Sequence, residues 1–248
     1  WAVQIAVSAV LLAVIFHFVP FAQVWSAAKR LSPQLWLAGF ALFLVGHALT
    51  AAKWLMLIGH DVRFSHAFRA HLAGLGANLA LPGVAGGDVV RAALVMGETK
   101  DKGRLAVGSL VDRLIDTASL ALVSLVGAWF AFNTDGRTTG LVVGGIVLIV
   151  GIKLTLLRLF SARIAAFAAT LATKGKIGRI LGTIIAASAE MGRKPGLLLG
   201  CFILSLAVQC LFVLINIAFA MALGVVIPAA AWFYAGAGAK IIAMLAIR

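Results

Sequence analysis

The sequence predicts an all-α, polytopic membrane protein, on three observations. Of its 248 residues, 63% are hydrophobic and only 12% are charged. Soluble domains average about 45–50% apolar and about 25% charged residues, so this chain lacks the polar groups to cover a globular surface. The apolar residues form six continuous stretches near the length of about 20 residues that crosses about 30 Å of hydrocarbon. They do not alternate with polar residues, which excludes a β-barrel. The same composition excludes disorder, and two Cys exclude a disulfide scaffold.

The first stretch runs from Trp1 to about Val19 and stops at Pro20. The second continues to about Ile58, with Ser32 placed to cap it and Pro33 at its first helical position. The third covers about Leu105–Phe132 and the fourth about Gly140–Leu157. The fifth runs from about Pro195 to Leu223 and the last from about Ala229 to Ile247. Asn133–Gly136 and Gly224–Pro228 read as tight turns between neighbours. One set of loops holds only Lys29, Arg30 and Arg137, while the other holds thirteen cations between Arg63 and Lys194. The positive-inside rule puts the richer set in the cytoplasm, with both ends of the chain. Lys53 lies near a cytoplasmic helix end and reads as a snorkelling side chain.

The formal charge of +13 does not indicate a nucleic-acid partner, because the cations sit between apolar runs, where topology and anionic lipid explain them. Cys201 and Cys210, inside one span, read as small buried hydrophobes. No metal-binding spacing, Walker sequence or nucleophile motif occurs, and His66 and His71 are five apart, a poor helical chelate. Neither an enzyme nor a cofactor is therefore expected. Trp1 opens directly on an apolar run without an initiator Met, which suggests a fragment.

Two segments depart from a plain six-span bundle within this single domain. Residues 158–192 carry a helical apolar stripe broken near Gly175, with Arg163, Lys174, Lys176 and Arg179 toward other faces. Two basic amphipathic helices along the inner headgroups fit that pattern, and a partner-binding platform is the alternative. Residues 64–95 are apolar enough to enter the bilayer, yet hold Gly74, Gly76, Pro82, Gly83, Gly86 and Gly87, with Asn78, Asp88 and Arg91. Two half-helices meeting at a broken Pro-Gly turn that lines a cavity suit this cluster, and a cytoplasmic Gly-rich loop is the alternative.

In the third span, Asp112, Arg113 and Asp116 lie roughly 10–17 Å along the helix axis. Asp112 and Asp116 share a face and Arg113 can reach Asp116. An Arg–Asp pair alone is compatible with structural glue. Each charge at mid-membrane costs about 2.5–3.5 kcal/mol, and two acids with one Arg leave a charge over, which favours a hydrated site. Arg91 or Lys240 is the expected fourth member. Lys240, within the last span, is expected to pair with Asp112 or Asp116, while Gly236 and Gly238 let helices approach closely. Gln209 and Asn216 read as interhelical hydrogen-bond partners.

The run NLALPGVAGGDVVR from Asn78 to Arg91, followed by VDRLI from Val111, resembles the flippase-like membrane family. That family includes the transmembrane region of lysylphosphatidylglycerol synthase and flippases for lipids or lipid-linked sugars, some in hopanoid gene neighbourhoods. The resemblance covers about residues 35–248, most strongly 78–113. It implies a substrate site at Asn78, Pro82, Gly83, Gly86, Gly87, Asp88, Arg91, Asp112 and Arg113, to which Asp116 and Lys240 are added on charge grounds. The family pattern continues beyond the last span into a Pro/Ser/Gly-rich segment ending in Arg-Glu that this chain lacks, so truncation at both ends is expected. The synthase's soluble transferase domain is not present here either.

The expected function is movement of a phosphate-bearing lipid or lipid-linked headgroup between leaflets, with membrane lipids of anionic or zwitterionic headgroup as partners. The alternatives are a membrane-embedded lipid or glycosyl transferase using Asp88 and Asp112 with a divalent cation, or a non-transporting assembly factor. A second copy of the chain or a larger membrane complex is the protein partner these readings allow.

Overall fold

The computed structural model describes residues 20–59, 61–80, 85–132, 140 and 175–246. The expected first and fourth spans, the turn at 133–136, the first amphipathic helix, Pro82 and Gly83 lie outside them. The described residues form eight α-helices and no strand. They are α1 (Phe21–Arg30), α2 (Pro33–Ile58), α3 (Phe64–Ala80), α4 (Ala85–Val95), α5 (Lys102–Phe132), α6 (Gly175–Gly192), α7 (Pro195–Ala222) and α8 (Ala229–Ala246).

Three of these, α2, α5 and α7, are long and apolar enough to cross a membrane. Helix α2 begins where capping chemistry places it. The Ser32 hydroxyl accepts the Leu35 N–H at 3.2 Å, and Pro33 occupies the first turn, where its missing N–H costs nothing. It stops at Gly59, whose φ of 111° excludes ordinary side chains. Helix α1 was not anticipated from the sequence. Its Phe21, Val24 and Trp25 are exposed on one side, and the Lys29 ammonium sits 5.3 Å from the Trp25 ring centre.

Three small cores hold the bundle together. Trp54, Ile58, Ala67, Ala70, Val95 and Leu105 join α2 to the α3–α4 hairpin and α5. Leu57, Val107, Ala187, Met191 and Cys201 bring α6 and α7 onto α2 and α5, so Cys201 is a buried small hydrophobe as expected. Leu120, Val123 and Ala237 seal α5 against α8. At the α6–α7 junction a hydrogen bond from Lys194 holds the Glu190 carboxyl below its ordinary range.

The closest α5–α8 approach does not use Gly236 or Gly238. A Cβ built on those residues meets its nearest neighbours at 3.8 and 3.4 Å, an ordinary contact. Gly127 on α5 takes that role, because a Cβ there would come within 2.8 Å of the Phe233 carbonyl carbon.

Candidate functional site

Helices α3 and α4 form the two half-helices expected of residues 64–95, and they pack on each other, on α2 and on α5. Their contact is backbone to backbone. A Cβ on Gly74 would lie 2.7 Å from the Gly87 carbonyl oxygen, and one on Gly87 would meet the Gly74 carbonyl oxygen. Glycine at both positions lets the helices touch. Asn78, at the end of α3, accepts the Gly87 N–H at 2.8 Å through Oδ1. It therefore satisfies one of the free donors in the first turn of α4 from across the hairpin. Asp88 follows in that same first turn, where the helix dipole favours an anion.

This geometry brings the acids and bases of the two motifs together. Arg91 donates to Asp112 at 2.8 Å through Nη2 and lies 3.2 Å from Asp88 through Nε. Arg113 donates to Asp88 at 2.9 Å through Nε and again through Nη2. Lys53 of α2 pairs with Asp112 at 3.0 Å and also with Asp116. The six groups form one alternating chain, Arg113–Asp88–Arg91–Asp112–Lys53–Asp116, with three cations and three carboxylates. The Trp54 ring lies 4.7 Å from the Arg91 guanidinium carbon and adds a cation–π contact.

Three expectations are corrected here. Arg113 pairs with Asp88 and not with Asp116, because the hairpin supplies a carboxylate that the α5 sequence does not show. Lys53 does not snorkel. Its side chain is 2% exposed and takes the position between Asp112 and Asp116 that was assigned to Lys240. Lys240 instead donates to Gln209 Oε1 at 3.2 Å and lies 5.1 Å from the Phe212 ring centre. The charge left over in the sequence count is thus cancelled by Lys53. Arg91 is the additional member, as anticipated. Gln209 is interhelical as expected, whereas Asn216 donates to the Phe212 carbonyl of its own helix.

The chain is buried at its centre and partly exposed at its ends. Asp112 and Lys53 are almost wholly buried, while Asp116, Asp88 and Arg113 are 19%, 26% and 30% exposed. A cavity of about 90 Å³ lies along it, lined by Thr50, His71, Gly74, Leu75, Asn78, Gly87, Asp88, Arg91, Asp112, Arg113 and Asp116. Its size fits a few waters or a small polar group. Asp116 also accepts from the Ser205 hydroxyl of α7 at 2.5 Å, and Ser205 meets Ser119 at 2.7 Å. In the cavity wall, His71 of α3 shares a ring-nitrogen contact of 3.1 Å with His47 of α2.

Of the residues singled out in the sequence, Asn78, Gly87, Asp88, Arg91, Asp112, Arg113 and Asp116 line this cavity. Gly86 sits in the first turn of α4 beside it. Lys240 does not reach it. Sequence reasoning did not find Lys53, Thr50, His71, His47 or Ser205. Lys53 could have been found from the orphan acid, which demanded a second cation from an apolar run carrying none of its own carboxylates.

A family model described as the lysylphosphatidylglycerol synthase TM region matches residues 1–247. No curated protein and no solved structure matches the chain. The match takes in all eight described helices, and with them the α3–α4 hairpin and the ion chain shared by α2, α4 and α5. The chain belongs to the family of the lysylphosphatidylglycerol synthase transmembrane region.

Proposed function

We propose that this protein moves a phosphate-bearing lipid headgroup across the bacterial inner membrane, taking it through the cavity beside the α3–α4 hairpin. The observation that carries this reading is the partly exposed Arg113–Asp88 pair lining the cavity, at one end of a charge-balanced chain whose centre is buried. Balanced ions cost far less to hold empty in a bilayer than a lone charge does. Such a pair also exchanges readily. A lipid phosphate takes the Arg113 guanidinium in bidentate fashion, and a headgroup amine, where present, takes the released Asp88. The first-turn N–H groups of α4 around Gly86 and Gly87 favour the same anion. Arg91 and Lys53 stay paired and hold the floor.

Helices α3 and α4 then act as the two halves of a broken, re-entrant element entered from the cytoplasmic side, and both ends of the chain face that side. Transport fits the site better than metal-assisted transfer. Asp88 and Asp112, the acids such a transferase would use, are each already held by two cations.

The test is transbilayer movement of a fluorescent phospholipid in proteoliposomes, read by dithionite quenching of the outer leaflet. The wild-type chain is expected to equilibrate the label, and Arg113→Ala to abolish the gain over empty vesicles. No movement by the wild type, or an unchanged rate in Arg113→Ala, would overturn the reading.

A further inference from the structure

The Lys240 ammonium is held at the middle of the bundle. Its partner Gln209 stands at the midpoint of α7, a helix of 28 residues, far from either end. The side chain of a helical residue leans toward the helix N-terminus, which for Lys240 is away from the nearer end of α8. Snorkelling to the headgroups therefore does not explain it. Among the described residues it has no carboxylate partner, only the Gln209 amide oxygen and the face of Phe212. An ammonium has three donors, and among the described residues Lys240 uses one of them, on Gln209. A lysine ammonium so far from either membrane face is costly to hold unless something pairs with it or wets it.

The position is also linked to the cavity. Asp116, the last member of the ion chain, accepts from Ser205. Ser205 and Gln209 are one helical turn apart on α7, neighbours on a single face. Gln209 in turn holds Lys240. A polar line thus runs from the cavity rim to a lone cation in about one turn of helix.

We propose that Lys240 and Gln209 form a second station for the lipid phosphate, which it occupies after leaving Arg113. This rests on the transport reading above and adds the next step on the path. At the first station the phosphate displaces Asp88 from Arg113. At the second it meets an ammonium with no carboxylate to displace, so the two stations differ in affinity as well as place. The Gln209 amide holds the ammonium on the path and out of the lipid.

The experiment uses the full chain, labelled with ¹⁵N on lysine and arginine, in vesicles of phosphatidylethanolamine and phosphatidylglycerol in phosphate-free buffer. Magic-angle-spinning NMR reads proximity between side-chain nitrogen and lipid phosphorus, and the phosphorus shift separates a phosphodiester from inorganic phosphate. Lys240→Met assigns the lysine signal, and Lys240→Arg, which keeps the cation, serves where the Met variant fails to fold. Phosphodiester signals at both Arg113 and Lys240 are expected, and Gln209→Leu is expected to abolish the one at Lys240. A signal at Arg113 without one at Lys240 overturns the second station and leaves the transport reading standing. A Lys240 signal that survives in Gln209→Leu comes from bulk headgroups and also overturns it. Absence of a signal at Arg113 overturns both.

Discussion

Replacing Lys53 with Met removes one cation from the centre of the ion chain and leaves three carboxylates facing two guanidinium groups. Lys53 is 1% exposed and contacts Asp112, itself 1% exposed, at 3.0 Å, together with Asp116. Breaking a buried pair by removing one partner costs about 3–5 kcal/mol, because the remaining charge is stranded. Arg91 still holds Asp112, so the stranded group is Asp116, at the end of the chain. This makes the rescue specific. Asp116→Asn in the Lys53→Met background leaves Arg113–Asp88–Arg91–Asp112 alternating and neutral, and is expected to recover most of the loss. Asp88→Asn in that background also balances the count, but it strands Asp116 and removes the partner of Arg113, so it should recover little. The assay is reversible unfolding in mixed detergent–lipid micelles, followed by tryptophan fluorescence, with Lys53–Asp116 coupling taken from a double-mutant cycle. A Lys53→Met loss below about 1 kcal/mol, or equal rescue by the two Asn changes, would show that charge balance is not what holds this site.

Further predictions concern the backbone that positions the chain. Gly74→Ala places a methyl 2.7 Å from the Gly87 carbonyl oxygen and should cost about 1–3 kcal/mol in the same unfolding assay. Gly76→Ala, two residues on with nothing within 4 Å, should be neutral or stabilising by up to about 1 kcal/mol. Asn78→Ala removes the cross-hairpin cap and should cost about 0.5–2 kcal/mol, with faster hydrogen exchange at the Gly87 amide, whereas Asn78→Asp should retain the protection. Gly127→Val should separate α5 from α8, so that cysteines placed across that interface no longer form a disulfide, while Gly238→Ala should leave such trapping intact.

Much of this architecture is local in origin, and so it was legible. Ser32 and Pro33 announce the start of α2, and the Gly and Pro cluster after Gly74 announces a broken helix, because capping and breaking act over three or four residues. Asp112 and Arg113 stood out because charge in an apolar run carries a cost that composition alone reveals. Partner choice was not legible. Arg113 could be matched only to acids on its own helix, since Asp88 reaches it through the packing of the hairpin on α5. Lys53 lies five residues from the end of α2, where a free lysine and a buried one look alike. The close approach at Gly127 was hidden for the same reason, since which of several small residues takes a helix crossing depends on the rotation of the partner.

The alternation of the ion chain bears on energetics in the living cell. Three cations against three carboxylates sum to zero, so any rocking of this cluster through the membrane does no net electrical work. Each uncompensated elementary charge would instead gain or lose about 2.3 kcal/mol per 100 mV. The ion chain itself is therefore indifferent to the membrane potential, whereas Lys240, which has no carboxylate partner among the described residues, is not. On the transport reading proposed above, the charge of the lipid then decides how strongly its crossing responds to the potential.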